Sequence, residues 1–176
     1  MKRLSHIGIL ALFKEILFKR WLDKNAFKVL AEIGVGSGQV VLDFGCGPGT
    51  YTIPAAKLVG ESGRVYALDV DKGALERVEK KARKEGLNNV VRIESSGGEA
   101  IPLGAETIDV VLLIDVLQEI KDIGALFSEV RRIVKPNGKV FVFPMHIGEE
   151  EAMRLAKSMG FTLEGKKARQ VLAFSR

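Results

Sequence analysis

Apolar positions along the chain change period several times, and each change marks an element. Short aliphatic, β-branched runs at Val40–Phe44, residues 64–70, Val90–Glu94, Ile108–Ile114 and residues 139–143 predict strands. Because these runs scarcely alternate with polar residues, they suit strands buried on both faces. Between them the apolar residues recur at helical spacing. The clearest case is residues 122–134, where Ile123, Leu126, Phe127, Val130, Ile133 and Val134 share a face. Pro136-Asn137-Gly138 predicts the stop of that helix and a turn into the next strand. Asp71 is placed to cap a helix carrying Ala74, Leu75, Val78 and Ala82. A helix over residues 149–159 leads to two strand-like runs, 161–165 and 170–175, close enough for an antiparallel hairpin. Helices are also predicted over residues 4–22 and 25–33, with Leu4, Ile7, Ala11, Leu17 and Trp21 on one apolar face.

Strands alternating with helices imply an α/β, Rossmann-like, doubly wound sheet. The predicted order of its seven strands is 3-2-1-4-5-7-6, with strand 7 antiparallel. Residues 1–23 read as a helical segment before the main domain, 24–176. That segment packs on the domain, closes as a lid that brings Arg20 or Trp21 to the ligand, or anchors to a membrane surface.

Two segments carry glycine at alternate positions: Gly34-Val35-Gly36-Ser37-Gly38 and Gly45-Cys46-Gly47-Pro48-Gly49. The first follows a helical pattern and precedes a strand, where a glycine ends a helix in a left-handed turn. The second leaves the strand run Val40–Phe44 and opens onto a helix predicted over residues 50–59. That strand, turn and helix context is the one in which backbone meets a ligand. Asp69 ends the second strand, 20 residues after Gly49 and 31 after Gly38. Only the shorter distance fits one helix and one strand, and an acid there accepts hydrogen bonds from a ribose. Dinucleotide folds use G-x-G-x-x-G, whereas here the third glycine comes one residue early and Thr50 takes its place. Pro48 also removes a donor that a pyrophosphate would use. The spacing favours a nucleoside without pyrophosphate.

"VVLDFGCGPGTYT" resembles the first motif of class I S-adenosylmethionine-dependent methyltransferases, especially the ubiquinone and menaquinone biosynthesis group. "VYALDVDKGALE" is similar to the second motif, and "GEAIPLGAETIDVVLLIDVLQEI" to the stretch from the third motif through strand four. "EVRRIVKPNGKVFVFP" resembles the helix and turn before strand five, and "AKSMGFTLEG" the entry to the final hairpin. The resemblance covers roughly residues 29–176 and implies S-adenosylmethionine as cofactor. It implies that Gly45 and Gly47 lie against the methionine and ribose, and that Thr50 lies near the carboxylate. It further implies that Asp43 orients the amino group, or else only ties down the loop. Asp69 would accept from the ribose hydroxyls and Val70 would pack on adenine, with Glu99 and Ala100 at the adenine amino group. Asp115, ending strand four, would face the sulfonium and the acceptor.

Methyl transfer from a sulfonium is an in-line displacement with a good leaving group, so positioning and water exclusion are the main requirements. An acceptor that must lose a proton also needs a base, for which His146, after strand five, and Asp115 are the catalytic candidates. Gln118 and Glu119 stand where related small-molecule enzymes often carry histidine. A small or medium-sized metabolite acceptor is expected. An RNA or protein acceptor, or a non-catalytic S-adenosylmethionine-binding or regulatory subunit, are the alternatives. No Asn-Pro-Pro-Tyr-like tetrapeptide follows strand four, which argues against amino-methylation of adenine bases.

The net charge of +5 admits an anionic partner, but Lys and Arg are spread along the whole chain. One cysteine, Cys46, and two histidines leave no cysteine-cluster metal site and make a zinc site unexpected. The apolar stretch from Ile7 to Phe13 is short and is followed by Lys14-Glu15, unlike a secretory signal. No run approaches the ~20 apolar residues of a membrane span. A cytoplasmic protein is expected.

Overall fold

The computed structural model describes residues 6–96 and 100–176, with the side chains of residues 6–12 left aside. Two helices, α1 (His6–Lys24) and α2 (Ala26–Ile33), precede the sheet. β1 (Val40–Phe44), α3 (Thr52–Val59), β2 (Arg64–Asp69), α4 (Lys72–Lys84) and β3 (Val90–Glu94) build one half. The chain then crosses back to β4 (Ile108–Ile114), α5 (Ile123–Ile133), β5 (Val134–Phe143), α6 (Glu149–Ser158) and the hairpin β6 (Thr162–Lys167) and β7 (Val171–Ser175). The sheet order is β3-β2-β1-β4-β5-β7-β6. β7 runs antiparallel to both neighbours, as the terminal hairpin predicted.

Residue parity along the strands explains the two layers. Val41, Val110, Leu112, Phe141 and Ala173 pack with α2 and α3, while Leu42, Val111, Leu113, Val140 and Phe174 pack with α5 and α6. A polar residue on a central strand is therefore forced into one apolar layer or the other. Asp43 is that residue, only 2 % exposed, and its Oδ2 accepts from the Thr52 hydroxyl at 2.6 Å. Burial pushes its carboxyl up from 3.8 to about 6, with the Thr52 bond opposing the rise and the Asp69 charge adding to it.

A carboxyl whose pKa is raised by folding binds more protons folded than unfolded across that window. Stability is therefore fullest below about pH 4, falls as pH rises to about 6, and levels off above. The expected loss is roughly 3 kcal/mol. Asp43→Asn, which keeps an acceptor for Thr52, should flatten this part of the pH profile in chemical denaturation between pH 4 and 7.

Several element ends shift by one or two residues, and the differences with a clear physical cause lie around β5 and at the start of α3. Val134 belongs to β5, because α5 ends at Ile133 and Val134 pairs with Ile108. Pro136-Asn137-Gly138 is consequently a bulged excursion within β5 opposite Asp109, between the Ile108–Val134 and Val110–Lys139 pairs, with Asn137 at φ +66. The helix after the second glycine segment starts at Thr52, since Gly49 and Thr50 are still in turns.

On α1, Leu4 lies outside the described residues, as do the side chains of Ile7 and Ala11. Leu17 and Phe13 are exposed, and Phe18, Trp21 and Leu22 make the packed face instead. Phe18 stacks against Trp21 and meets Phe143 at 5.3 Å between ring centroids, and Arg169 of the hairpin lies 4.9 Å over Trp21. Among the described residues no helix is long and apolar enough to cross a membrane.

Candidate cofactor site

The two glycine segments behave differently in space. Gly34 caps α2 at φ +100, and the N–H groups of Gly34 and Val35 bond back to Ala31 and Leu30. A Cβ added at Gly36 meets nothing within 4 Å, and Gly36 is not in the wall of the cavity beside the second loop. Gly45, Gly47 and Gly49 all have positive φ, at +70, +49 and +82. The N–H groups of Gly45 and Cys46 donate to the Leu68 carbonyl, and that of Gly47 donates to Asp69 Oδ2 at 2.7 Å. Lys81 from α4 donates to the Pro48 carbonyl at 2.6 Å. The second loop is thus fastened to β2 and α4, and its left-handed turns aim the peptide backbone outward.

Strand order reverses between β1 and β4, and loops leaving two such strands part there to form a crevice. A cavity of about 710 Å³ occupies it. Its walls are the loop after β1, the end of β2 with Asp69 and Val70, Ser95 and Ser96 after β3, and the loop after β4. The size suits one cofactor with room for part of an acceptor. Gly47 lines the cavity, and a Cβ on it would find only open space, so the glycine leaves volume that belongs to the ligand. Gly45 instead buys tight packing, since a Cβ there would collide with Val116 of the β4 loop.

Asp69 is oriented by two backbone donors, Gly47 N and Asp71 N at 2.9 Å on Oδ1, and its carboxylate edge faces the cavity. Val70 is 63 % exposed at the rim, and Thr50 lines the wall. Asp115 sits at φ +58, receives a hydrogen bond from Gln118 Nε2 at 3.0 Å, and lines the cavity beside Glu119.

Other expected residues do not reach it. Asp43 lies beneath the loop, joined to α3, and is not in the wall. Ala100 is exposed and also outside the wall. Glu99 falls outside the described residues. His146 is exposed on the turn after β5, at φ +64, and does not line the cavity, so the expectation of a base there is not met by position. Burial pushes the Cys46 thiol up, assisted by the Asp43 and Asp69 charges, which leaves it a packing residue.

Sequence reasoning missed Lys19 and Tyr51. Lys19, not Arg20 or Trp21, is the α1 residue in the wall. Its Nζ binds both oxygens of Asp23 at 2.7 and 2.9 Å and lies 3.7 Å from Asp115 Oδ2. The Tyr51 hydroxyl donates to Asp23 Oδ1 at 2.7 Å, and burial with that bond pushes the phenol pKa up. The available signal was helical spacing: Glu15, Phe18, Lys19 and Leu22 form one arc, with a lysine where an apolar residue is usual.

A nucleoside site at the switch point of a sheet whose last strand is antiparallel defines the S-adenosylmethionine-dependent methyltransferase fold. The chain belongs to the methyltransferase domain family, whose model matches residues 42–142. It is 36 % identical over 125 residues to a demethylmenaquinone methyltransferase of Geobacillus, covering 71 % of this chain and 53 % of that protein. The corresponding Bacillus subtilis enzyme is 30 % identical over 143 residues, covering 81 % and 59 %. The chain therefore spans about half the length of the curated relatives it matches. A solved SAM-dependent methyltransferase from Aquifex aeolicus superposes with a TM-score of 0.77 at 25 % identity, covering 92 % of this chain and 96 % of that one.

Proposed function

We propose that this chain transfers the methyl group of S-adenosylmethionine to a small or medium-sized acceptor with apolar character, in the cytoplasm. The cavity at the β1–β4 switch point, walled by Gly47 and Asp69, carries this reading. Bound there, S-adenosylmethionine would supply an electrophilic methyl group. Asp69 accepts from the ribose hydroxyls, Val70 covers adenine at the rim, and Gly45 and Gly47 bring backbone close to the methionine and ribose. Thr50 stands near the carboxylate end. Asp43 acts from below by holding the start of α3. At the β4 loop, Ile114, Val116 and Ile120 give the acceptor an apolar wall with Asp115 and Glu119 beside it. Those two carboxylates, rather than the exposed His146, serve an acceptor that must lose a proton.

The names of the relatives support an acceptor like a demethylated quinone ring. Surface charge gives a nucleic-acid acceptor little support. Arg77 is paired with Asp71, Arg83 and Arg92 with Glu79, and Lys166 with Glu149, so these four cations stand beside carboxylates and offer less to a phosphate backbone. Incubation with methyl-labelled S-adenosylmethionine and a panel of demethylated quinones, bulk RNA and protein tests the reading. Label should enter the quinone fraction, and label in RNA or protein alone would overturn the acceptor class.

A further inference from the structure

Large apolar side chains left in water are not scattered evenly over this protein. Of the six that are exposed among the described residues, four lie on the first two helices. They are Phe13, Ile16 and Leu17 on α1 and Phe27 on α2, at 56, 39, 48 and 51 % exposure. Single exposed apolar residues are ordinary, whereas a cluster marks a contact surface. Helical spacing sets Phe13, Leu17, Arg20 and Lys24 in one stripe along α1, with Ile16 at its edge, opposite the buried Leu22. Lys14 is exposed as well, and α2, which starts after the single residue Asn25, adds the exposed Lys28 beside Phe27. We propose that the outward face of α1, with the start of α2, is a docking surface for an anionic lipid bilayer, on which the protein lies peripherally.

Charge decides the occupant. The stripe carries no acidic residue, since Glu15 falls on the inward arc and Asp23 is held by Lys19 and Tyr51. Lys14, Arg20, Lys24 and Lys28 form no ion pair among the described residues, in contrast to Arg77, Arg83, Arg92 and Lys166. A second copy of the chain docked face to face would set these four cations against the same four, which opposes association. A nucleic acid would engage the cations and leave Phe13, Ile16 and Leu17 in water. A bilayer interface takes both kinds of side chain. Aromatic and aliphatic groups enter the boundary below the headgroups, while lysine and arginine meet the anionic headgroups themselves. The inward side of α1 stays packed, with Leu22 buried and Phe18 against Phe143, so docking needs no rearrangement of the helix. Lys19 lies on the cavity side of the same helix, and a bilayer against the stripe stands about one helix diameter, roughly 10–12 Å, from the cavity wall. An apolar acceptor dissolved in lipid then reaches the site from the surface without crossing water. That consequence rests on the acceptor class proposed above, and the docking itself does not.

Cosedimentation with vesicles, in the absence of any nucleoside, tests the docking separately from the cofactor reading. Vesicles of phosphatidylcholine with about 30 % phosphatidylglycerol should bind the protein at least about tenfold more tightly than phosphatidylcholine alone. Raising the salt to about 0.5 M should reverse most of that advantage. Two double variants divide the surface into its charged and apolar parts. Arg20→Gln with Lys24→Gln should lose about tenfold of the affinity for anionic vesicles. Phe13→Ser with Leu17→Ser, which leaves the charge unchanged, should lose a similar amount. Lys80→Gln with Lys84→Gln on the exposed side of α4 removes the same charge elsewhere, and should change binding by less than about threefold. No binding to anionic vesicles, or equal binding to neutral ones, would overturn the proposal, and the unaltered protein alone decides both. Equal losses for the α1 and α4 lysine and arginine variants would reduce the effect to net charge and overturn the assigned face. A dimer in sedimentation equilibrium that Phe13→Ser with Leu17→Ser dissolves, without vesicle binding, would make the face a self-interface instead. Adenosylhomocysteine affinity should be the same in all these variants, so the cofactor reading stands or falls apart from this one.

Discussion

Asp69→Ala is expected to weaken adenosylhomocysteine binding by roughly 1–3 kcal/mol, because in the proposed binding mode it leaves the ribose hydroxyls without their acceptor. The loss has a second source in this chain. The same carboxylate holds Gly47 N at 2.7 Å and Asp71 N at 2.9 Å, so its removal also frees the loop that shapes the cavity. Titration calorimetry reads the effect directly, and Asp69→Asn, which keeps one oxygen acceptor, should lose less. Gly36→Ala is the matched control. It lies in the segment that merely follows α2, with open space around an added Cβ, and should leave affinity unchanged. A folded Gly36→Ala protein with the greater loss of affinity would mean that the wrong loop has been assigned.

Gly45→Ala should produce the largest stability effect among the loop substitutions, roughly 1–3 kcal/mol in chemical denaturation. At φ +70 an alanine is strained whatever the space, and here there is none, since its Cβ would run into Val116 with that residue's own Cβ at 3.0 Å. Either the β1 loop or the β4 loop must move, and both bound the cavity, so ligand affinity should fall along with stability. Gly47→Ala separates the two consequences. Its added methyl enters the cavity and not the core, so ligand binding should suffer more than folding.

The sheet was legible because its information is local. Uninterrupted runs such as Val110-Val111-Leu112-Leu113 admit only a strand covered on both faces, and the glycine, acid and turn signals at Gly45, Asp69 and Asp71 each act within a few residues. The order of strands then follows from right-handed crossovers and one terminal hairpin. Asp109 shows what is not local. Its carboxylate accepts from Val40 N at 2.8 Å and pairs with Lys135 at 2.9 Å, tying the start of β1 to the β5 bulge, and nothing in the spacing announces it. The site was half legible for the same reason. Asp69, Thr50 and Asp115 stand at strand ends or turns that the sequence marks, and they line the cavity. His146 also follows a strand at the same edge of the sheet, but its left-handed turn leaves it exposed and out of the wall. Lys19 reaches the wall because α1 buries Leu22 and half-buries Phe18 while leaving Phe13, Ile16 and Leu17 exposed. Apolar residues on both sides of α1 blur the amphipathic signal, so the arc of Glu15, Phe18, Lys19 and Leu22 did not by its spacing alone single out the inward face.

The cavity at the β1–β4 switch point is shaped for an adenosyl nucleoside without pyrophosphate. Calorimetric titration of the protein with adenosylhomocysteine and, separately, with NAD tests it most directly. The expected result is saturable one-site binding of adenosylhomocysteine that Asp69→Ala weakens, with no detectable heat from NAD. Saturable binding of NAD with none of adenosylhomocysteine would contradict it.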